Sequence, residues 1–210
     1  MNQPVTGVPT VHIVDDEAPV RDALAFLFGS HGLPVRAYAD GPALLAAFDA
    51  APQRGCILLD VRMEPLSGLQ VHAALIERGV PLPVVFLSGH GDIPMAVEAL
   101  HKGAFDFVEK PFGDTTLVQR VQRALAQEAA RHEAAVAAAA QQGRLASLSP
   151  REHEVMQRVA AGKLNKVIAD ELCISVRTVE VHRSRVFEKL GVRSSAEVAT
   201  LLATGRSTAA

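Results

Sequence analysis

The chain has 210 residues, 49% hydrophobic and 21% charged, with a formal net charge of −2 at pH 7. That is the composition of a globular protein with room for one large domain or two modest ones. No apolar run reaches the roughly 18 residues of a membrane-spanning helix. The opening "MNQPVTGVPT" also lacks the basic and apolar regions of a secretory signal. A cytoplasmic protein without a membrane partner is therefore expected. The two cysteines, Cys56 and Cys173, fall in apolar stretches and are expected as packed, reduced thiols, and no Cys or His pair has zinc spacing.

Five short apolar runs, 10–14, 34–39, 56–59, 83–88 and 104–108, are bounded by turn residues and predict strands. Helical patterns alternate with them at 19–30, 42–50, 68–78, 93–102 and 114–126. The first places Val20, Leu24, Leu27 and Phe28 on one face; the second opens at Asp40 and Pro42 and buries Leu44, Leu45 and Phe48. Five βα units imply a doubly wound parallel sheet covered by helices on both faces, an α/β fold. After a tail at 1–9, this domain spans 10–126. Residues 127–146, including "QEAARHEAAVAAAAQQ", favour helix without a wide apolar face and are expected to form a helical linker; a flexible tether is the alternative.

Residues 147–204 predict a small all-α domain, followed by a tail at 205–210. Ser149 to Glu152 and Ser194 to Glu197 are capping boxes, Gly162 and Gly191 are stops, and Ser175 can cap a third helix ending at Leu190. The tight "CIS" turn between the middle two helices matches a helix-turn-helix. Charge divides along the same line. Residues 1–143 hold 10 Lys/Arg against 16 Asp/Glu, and residues 144–210 hold 11 against 7. The second part is thus suited to a polyanion.

In an open parallel sheet, ligands gather beyond the carboxyl ends of the strands. There the sequence puts Asp15 and Asp16 after the first strand, Asp60 after the third, Ser88 after the fourth and Lys110-Pro111 after the fifth. Three close carboxylates need a cation to stay ionised, and Mg2+ suits oxygen donors that leave room for water and phosphate. A carboxylate can also be a nucleophile that forms an aspartyl phosphate, with Lys110 and the Ser88 hydroxyl offsetting phosphoryl charge. Each residue alone has a plainer role, as a helix cap, a turn former or a solvated loop lysine.

"VDDE", "LLDVRM", "LSGHGD" and "DFVEKPF" occur in the order and spacing of the receiver domain of two-component response regulators, which the chain closely resembles over residues 10 to about 125. The resemblance implies that Asp60 is the phosphoacceptor, that Asp15, Asp16, Asp60 and the main-chain carbonyl of Arg62 bind Mg2+, and that Ser88 is the switch hydroxyl. It further implies that Lys110 is the invariant lysine, with a cis bond to Pro111, that Phe107 is the aromatic switch, and that Arg62 and His90 tune the lifetime of the phosphoryl group. Phe107 equally reads as an ordinary core residue. One departure is Glu64 directly after Met63, where similar regulators have Pro; here Pro65 follows.

Winding residues 176–190 at 100° per residue turns Val179, Val186 and Leu190 inward and Arg177, Glu180, Val181, Ser184, Arg185 and Glu188 outward. Val181 can meet a thymine methyl, Glu180 can accept from cytosine and Ser184 can pair with base edges. Lys166, Arg177, Thr178, Arg185 and Lys189 suit phosphates. A solvated charged face is the plainer reading. "LSPREHEVM", "GKLNKVIADELCIS" and "RTVEVHRSRVFEKLGV" resemble the LuxR-type DNA-binding domain of FixJ/NarL-type regulators over 148–202. Relatives often have Lys at the positions of Glu180 and Ser184, which implies a different operator here.

Together these resemblances imply a transcriptional response regulator and no enzyme in the usual sense, beyond promoting its own phosphorylation and slow dephosphorylation. Its expected partners are a sensor histidine kinase, double-stranded promoter DNA and, on phosphorylation, a second copy of itself. The dimer face implied comprises 93–102, 104–108 and 114–126. A magnesium phosphohydrolase of the haloacid dehalogenase type would need an Asp where Arg62 stands. A constitutive DNA-binding protein with an inert receiver is the other alternative.

Overall fold

The structure is a computed structural model describing residues 7–89 and 93–207. His90 lies outside the described residues. Contacts divide the chain into Met1–Glu133 and Ala134–Ala210.

The first unit alternates β1 (Thr10–Val14), α1 (Ala18–Ser30), β2 (Val35–Tyr38), α2 (Gly41–Ala50), β3 (Gly55–Asp60), α3 (Gly68–Glu77), β4 (Val84–Ser88), α4 (Ile93–His101), β5 (Asp106–Glu109) and α5 (Asp114–Ala146). The five strands form one parallel sheet in the order β2-β1-β3-β4-β5. Side chains alternate across it. Val14, Ile57, Leu59 and Phe86 pack with Leu44, Val71, Leu75 and Ala99, whereas Val11, Ile13, Leu58 and Leu87 pack with Leu24, Phe28, Leu117 and Val121. With both faces covered, all six residues of β3 are buried, as expected of a central parallel strand. The order reverses between β1 and β3, so a crevice opens at their carboxyl ends.

Local chemistry fixes several boundaries. Asp40 caps α2 by accepting the amide of Ala43, and Ser67 with Gln70 forms a capping box on α3. β5 starts two residues later than its apolar run: Ala104 and Phe105 belong to the turn out of α4, where their amides bond the carbonyls of Ala99 and Val84. Apolar content cannot separate such a packed turn from a strand. α5 continues without a break past Ala126 to Ala146.

In the second unit, α6 (Pro150–Ala160), α7 (Asn165–Leu172), α8 (Val176–Leu190) and α9 (Ser195–Ser207) surround a core of Val155, Met156, Ile168, Val179, Val186, Leu190 and Val198. The Ser149–Glu152 capping box is made in both directions, and Ser175 accepts the amide of Thr178. Cys173 corrects one expectation. It is exposed rather than packed, because it ends α7 in the left-handed region at φ 53° and its side chain turns away from the core. Cys56 is buried, and both thiols are free. Among the described residues, no helix is long and apolar enough to cross a membrane.

Candidate functional site

The strand ends bring together the residues singled out from the sequence. Asp15 follows β1, Asp60 ends β3 and Ser88 ends β4; they are 1%, 6% and 3% exposed. Lys110 follows β5 directly, and its Nζ donates to Asp15 Oδ2 at 3.0 Å and to Asp60 Oδ1 at 2.7 Å. The remaining carboxylate oxygens hold the adjoining turns: Asp15 Oδ1 accepts the amide of Glu17, and Asp60 Oδ2 that of Arg62 at 2.7 Å. The carbonyl of Ser88 accepts the Lys110 amide at 2.7 Å, which fixes the root of the lysine. Asp16 is exposed beside this group.

Two supports escaped the sequence reading. Arg21, one turn into α1, donates to the carbonyls of Asp15 and Asp16 and so holds the acidic turn. Its position six residues after Asp15 was the available signal. A Cβ on Gly68 would lie 2.2 Å from the carbonyl oxygen of Asp60. The Ser67-Gly68 pair therefore does more than turn the chain: it lets the start of α3 close on the end of β3. Phe107 is half-buried, its ring 6.5 Å from that of Phe86. Both Lys110–Pro111 and Glu64–Pro65 are cis, and Glu64 is exposed.

Burial raises the pKa of Asp60; Lys110 and the Arg62 amide oppose this, and the charge of Asp15 adds to it. Burial depresses Lys110, but its bonds to Asp60 and Asp15 outweigh that and raise its pKa. One ammonium thus serves two buried carboxylates with a third nearby, leaving the cluster short of positive charge. The donors are hard carboxylate oxygens, although among the described residues no group of three or more Asp, Glu, His or Cys side chains is placed to hold a metal ion. That set fits Mg2+, which keeps several waters and takes one or two carboxylates.

On α8, Arg177, Glu180, Val181, Ser184, Arg185 and Glu188 are all exposed, Val181 at 45%, while Val179, Val186 and Leu190 are fully buried. Lys166 is exposed at the start of α7. Thr178 bonds the Ser175 hydroxyl within the helix cap. Lys189 is exposed, and its Nζ donates to Glu152 and to the carbonyl of Ser147. Arg183 bonds Asn165 and covers the Phe187 ring, tying α7 to α8. Nothing in the local sequence marks that tie.

Residues 11–122 match the response regulator receiver domain, and residues 146–202 match the bacterial regulatory proteins of the luxR family. The chain is 51% identical over 194 residues to the C4-dicarboxylate transport transcriptional regulatory protein DctR of Rhodobacter capsulatus, covering 91% of this chain and 98% of that protein. It is 43% identical over 185 residues to the transcriptional regulatory protein FixJ of Rhizobium meliloti (strain 1021), covering 88% and 90%. Among solved structures, the response regulator StyR matches with a TM-score of 0.86 and 36% identity, over 93% of this chain and 98% of that one. The parallel sheet, with acids and a lysine meeting at its switch point, is thus a receiver domain. With its second unit, the chain belongs to the two-component transcriptional response regulators that join a receiver to a LuxR-type DNA-binding domain.

Proposed function

We propose that Asp60 accepts a phosphoryl group from a sensor histidine kinase, and that this modification promotes dimerisation and binding to double-stranded promoter DNA. A carboxylate oxygen of Asp60 attacks phosphorus, the phosphorus–nitrogen bond of the donor phosphohistidine breaks, and the leaving imidazole takes a proton. Lys110 supports the reading most directly: one ammonium bridges Asp15 and Asp60 and can follow charge from carboxylate to phosphoryl oxygen. Asp15, Asp16, Asp60 and the Arg62 carbonyl would hold Mg2+, which supplies positive charge to the phosphoryl oxygens when bound. The Ser88 hydroxyl would then close on the new group while Phe107 turns inward. The side chain of Arg62, which is exposed, would tune its lifetime; His90, proposed for the same task, lies outside the described residues.

Phosphorylation favours one of two conformers and so shifts occupancy of DNA. The dimer face would comprise α4, β5 and the first part of α5. On α8, Glu180, Val181 and Ser184 would read bases, and Lys166, Arg177, Thr178 and Arg185 would set register on phosphates. This activity belongs in the cytoplasm, and turnover is limited to the protein's own aspartyl phosphate. The extent of identity to DctR favours genes of C4-dicarboxylate transport as targets; their transcripts should change when Asp60→Asn replaces the wild type.

The central test uses acetyl phosphate with Mg2+. The wild type should dimerise and bind DNA more tightly, and Asp60→Asn should do neither. Equal behaviour of the two proteins would reject phosphoryl control. Multiple turnover on small phosphate esters would favour a hydrolase instead.

A further inference from the structure

The buried face of α5 runs through Leu117, Val121 and Ala124, and the next position in that 3.6-residue line is a carboxylate, Glu128. Glu128 is only 6% exposed, and both its oxygens are taken by Arg54, from Nε at 3.0 Å and Nη2 at 3.2 Å. Arg54 enters β3, and its own carbonyl accepts the amide of Thr10 and bonds His12 Nε2, which welds it to β1. One turn beyond Glu128, Arg131 donates to the carbonyl of Pro81. An apolar residue at 128 would have sufficed for packing. A buried carboxylate demands a partner, and a bidentate guanidinium fixes direction as well as distance.

Eight residues earlier, about 12 Å along the helix, α5 has a different attachment. Arg120 bonds both oxygens of Asp106, at 2.6 and 2.5 Å, and Asp106 Oδ1 also accepts the amide of Phe107. That tie is to β5, the strand of the proposed aromatic switch; the Arg54 tie is to the fixed centre of the sheet. A rod held only at Arg120 could yield to movement of β5 by bending beyond it. Held again at Glu128, it converts the same movement into a change of direction of the helix that continues to Ala146.

We infer that Arg54 and Glu128 are positioning residues: their pair is the fixed point about which α5 passes the state of the receiver to the DNA-binding unit. This rests on the phosphorylation-dependent reading above. The test measures DNA affinity of the full chain, with and without acetyl phosphate and Mg2+, for the wild type, Glu128→Gln and the exchange Arg54→Glu with Glu128→Arg. Aspartyl phosphate is quantified in parallel.

Glu128→Gln should be phosphorylated to the wild-type extent and bind DNA normally without phosphate, yet its ratio of phosphorylated to unphosphorylated affinity should fall at least ~threefold. The exchange should restore part of that ratio. A merely structural role would lower both affinities together. An unchanged ratio in Glu128→Gln overturns the inference while leaving the response-regulator reading intact; a wild type that does not respond overturns both. Hydrogen exchange on the wild type requires no variant. Amides 125–131 should be protected like that of Val121, and exchange as fast as a frayed end would equally overturn the assignment.

Discussion

Lys189, near the end of α8, places Nζ 2.6 Å from Oε2 of Glu152, in the first turn of α6. Glu152 is 3% exposed and also accepts the amide of Ser149, so one carboxylate closes a helix cap and ties that helix to α8.

The hydrogen bond from Lys189 is the main cause holding Glu152 down from 4.5 to about 2, with the Ser149 amide second. A depressed carboxylate stabilises the fold above its ordinary pKa, and that stabilisation is lost as pH falls from about 4.5 to about 2. Glu152→Gln should therefore flatten acid unfolding of the second unit in that window. At neutral pH the lost charged hydrogen bond should cost about 1–2 kcal/mol. Exchange of the Val155 and Val159 amides against pH checks both expectations.

Gly68→Ala should be damaging out of proportion to its size. The new methyl would press on the Asp60 carbonyl from 2.2 Å, costing about 1–3 kcal/mol by overpacking and displacing Asp60. Urea unfolding and the rate of labelling by acetyl phosphate should both worsen. Gly29→Ala, in α1 with nothing within 4 Å of the added carbon, should be neutral or stabilising by about 0.5–1 kcal/mol, with labelling unchanged.

On α8, base reading and phosphate contact should separate by salt dependence. Val181→Ala should cost about 1 kcal/mol at the operator and leave the salt slope alone. Arg177→Ala and Arg185→Ala should each weaken binding to all sequences and lower the slope by about one. Lys189→Ala should leave the slope unchanged, because its ammonium is occupied by Glu152. Fluorescence anisotropy across a salt series distinguishes these outcomes.

Much of this molecule was legible from one sequence because its elements obey strong local rules. Asp40, Ser149 and Ser175 all cap where capping chemistry places them. The acids and Lys110 were findable because a parallel sheet collects its strand ends at one edge. What escaped were relations between distant residues. Arg54 and Glu128 are 74 positions apart, and nothing near Glu128 marks it except its place in an apolar line. Lys189 reads as a DNA contact from its helix face alone, and only the packing of α6 supplies its partner. Cys173 reads as core from its apolar neighbours, but the left-handed turn it occupies is set by the geometry of the helix pair.

That turn has a practical consequence. Burial pushes the Cys56 thiol up to about 12 and shields it from solvent, whereas Cys173 is exposed two residues before Ser175, the cap of α8. The native chain thus offers one accessible thiol beside α8, the helix proposed above to read DNA. A maleimide dye should attach there without any engineered cysteine and report operator engagement by fluorescence.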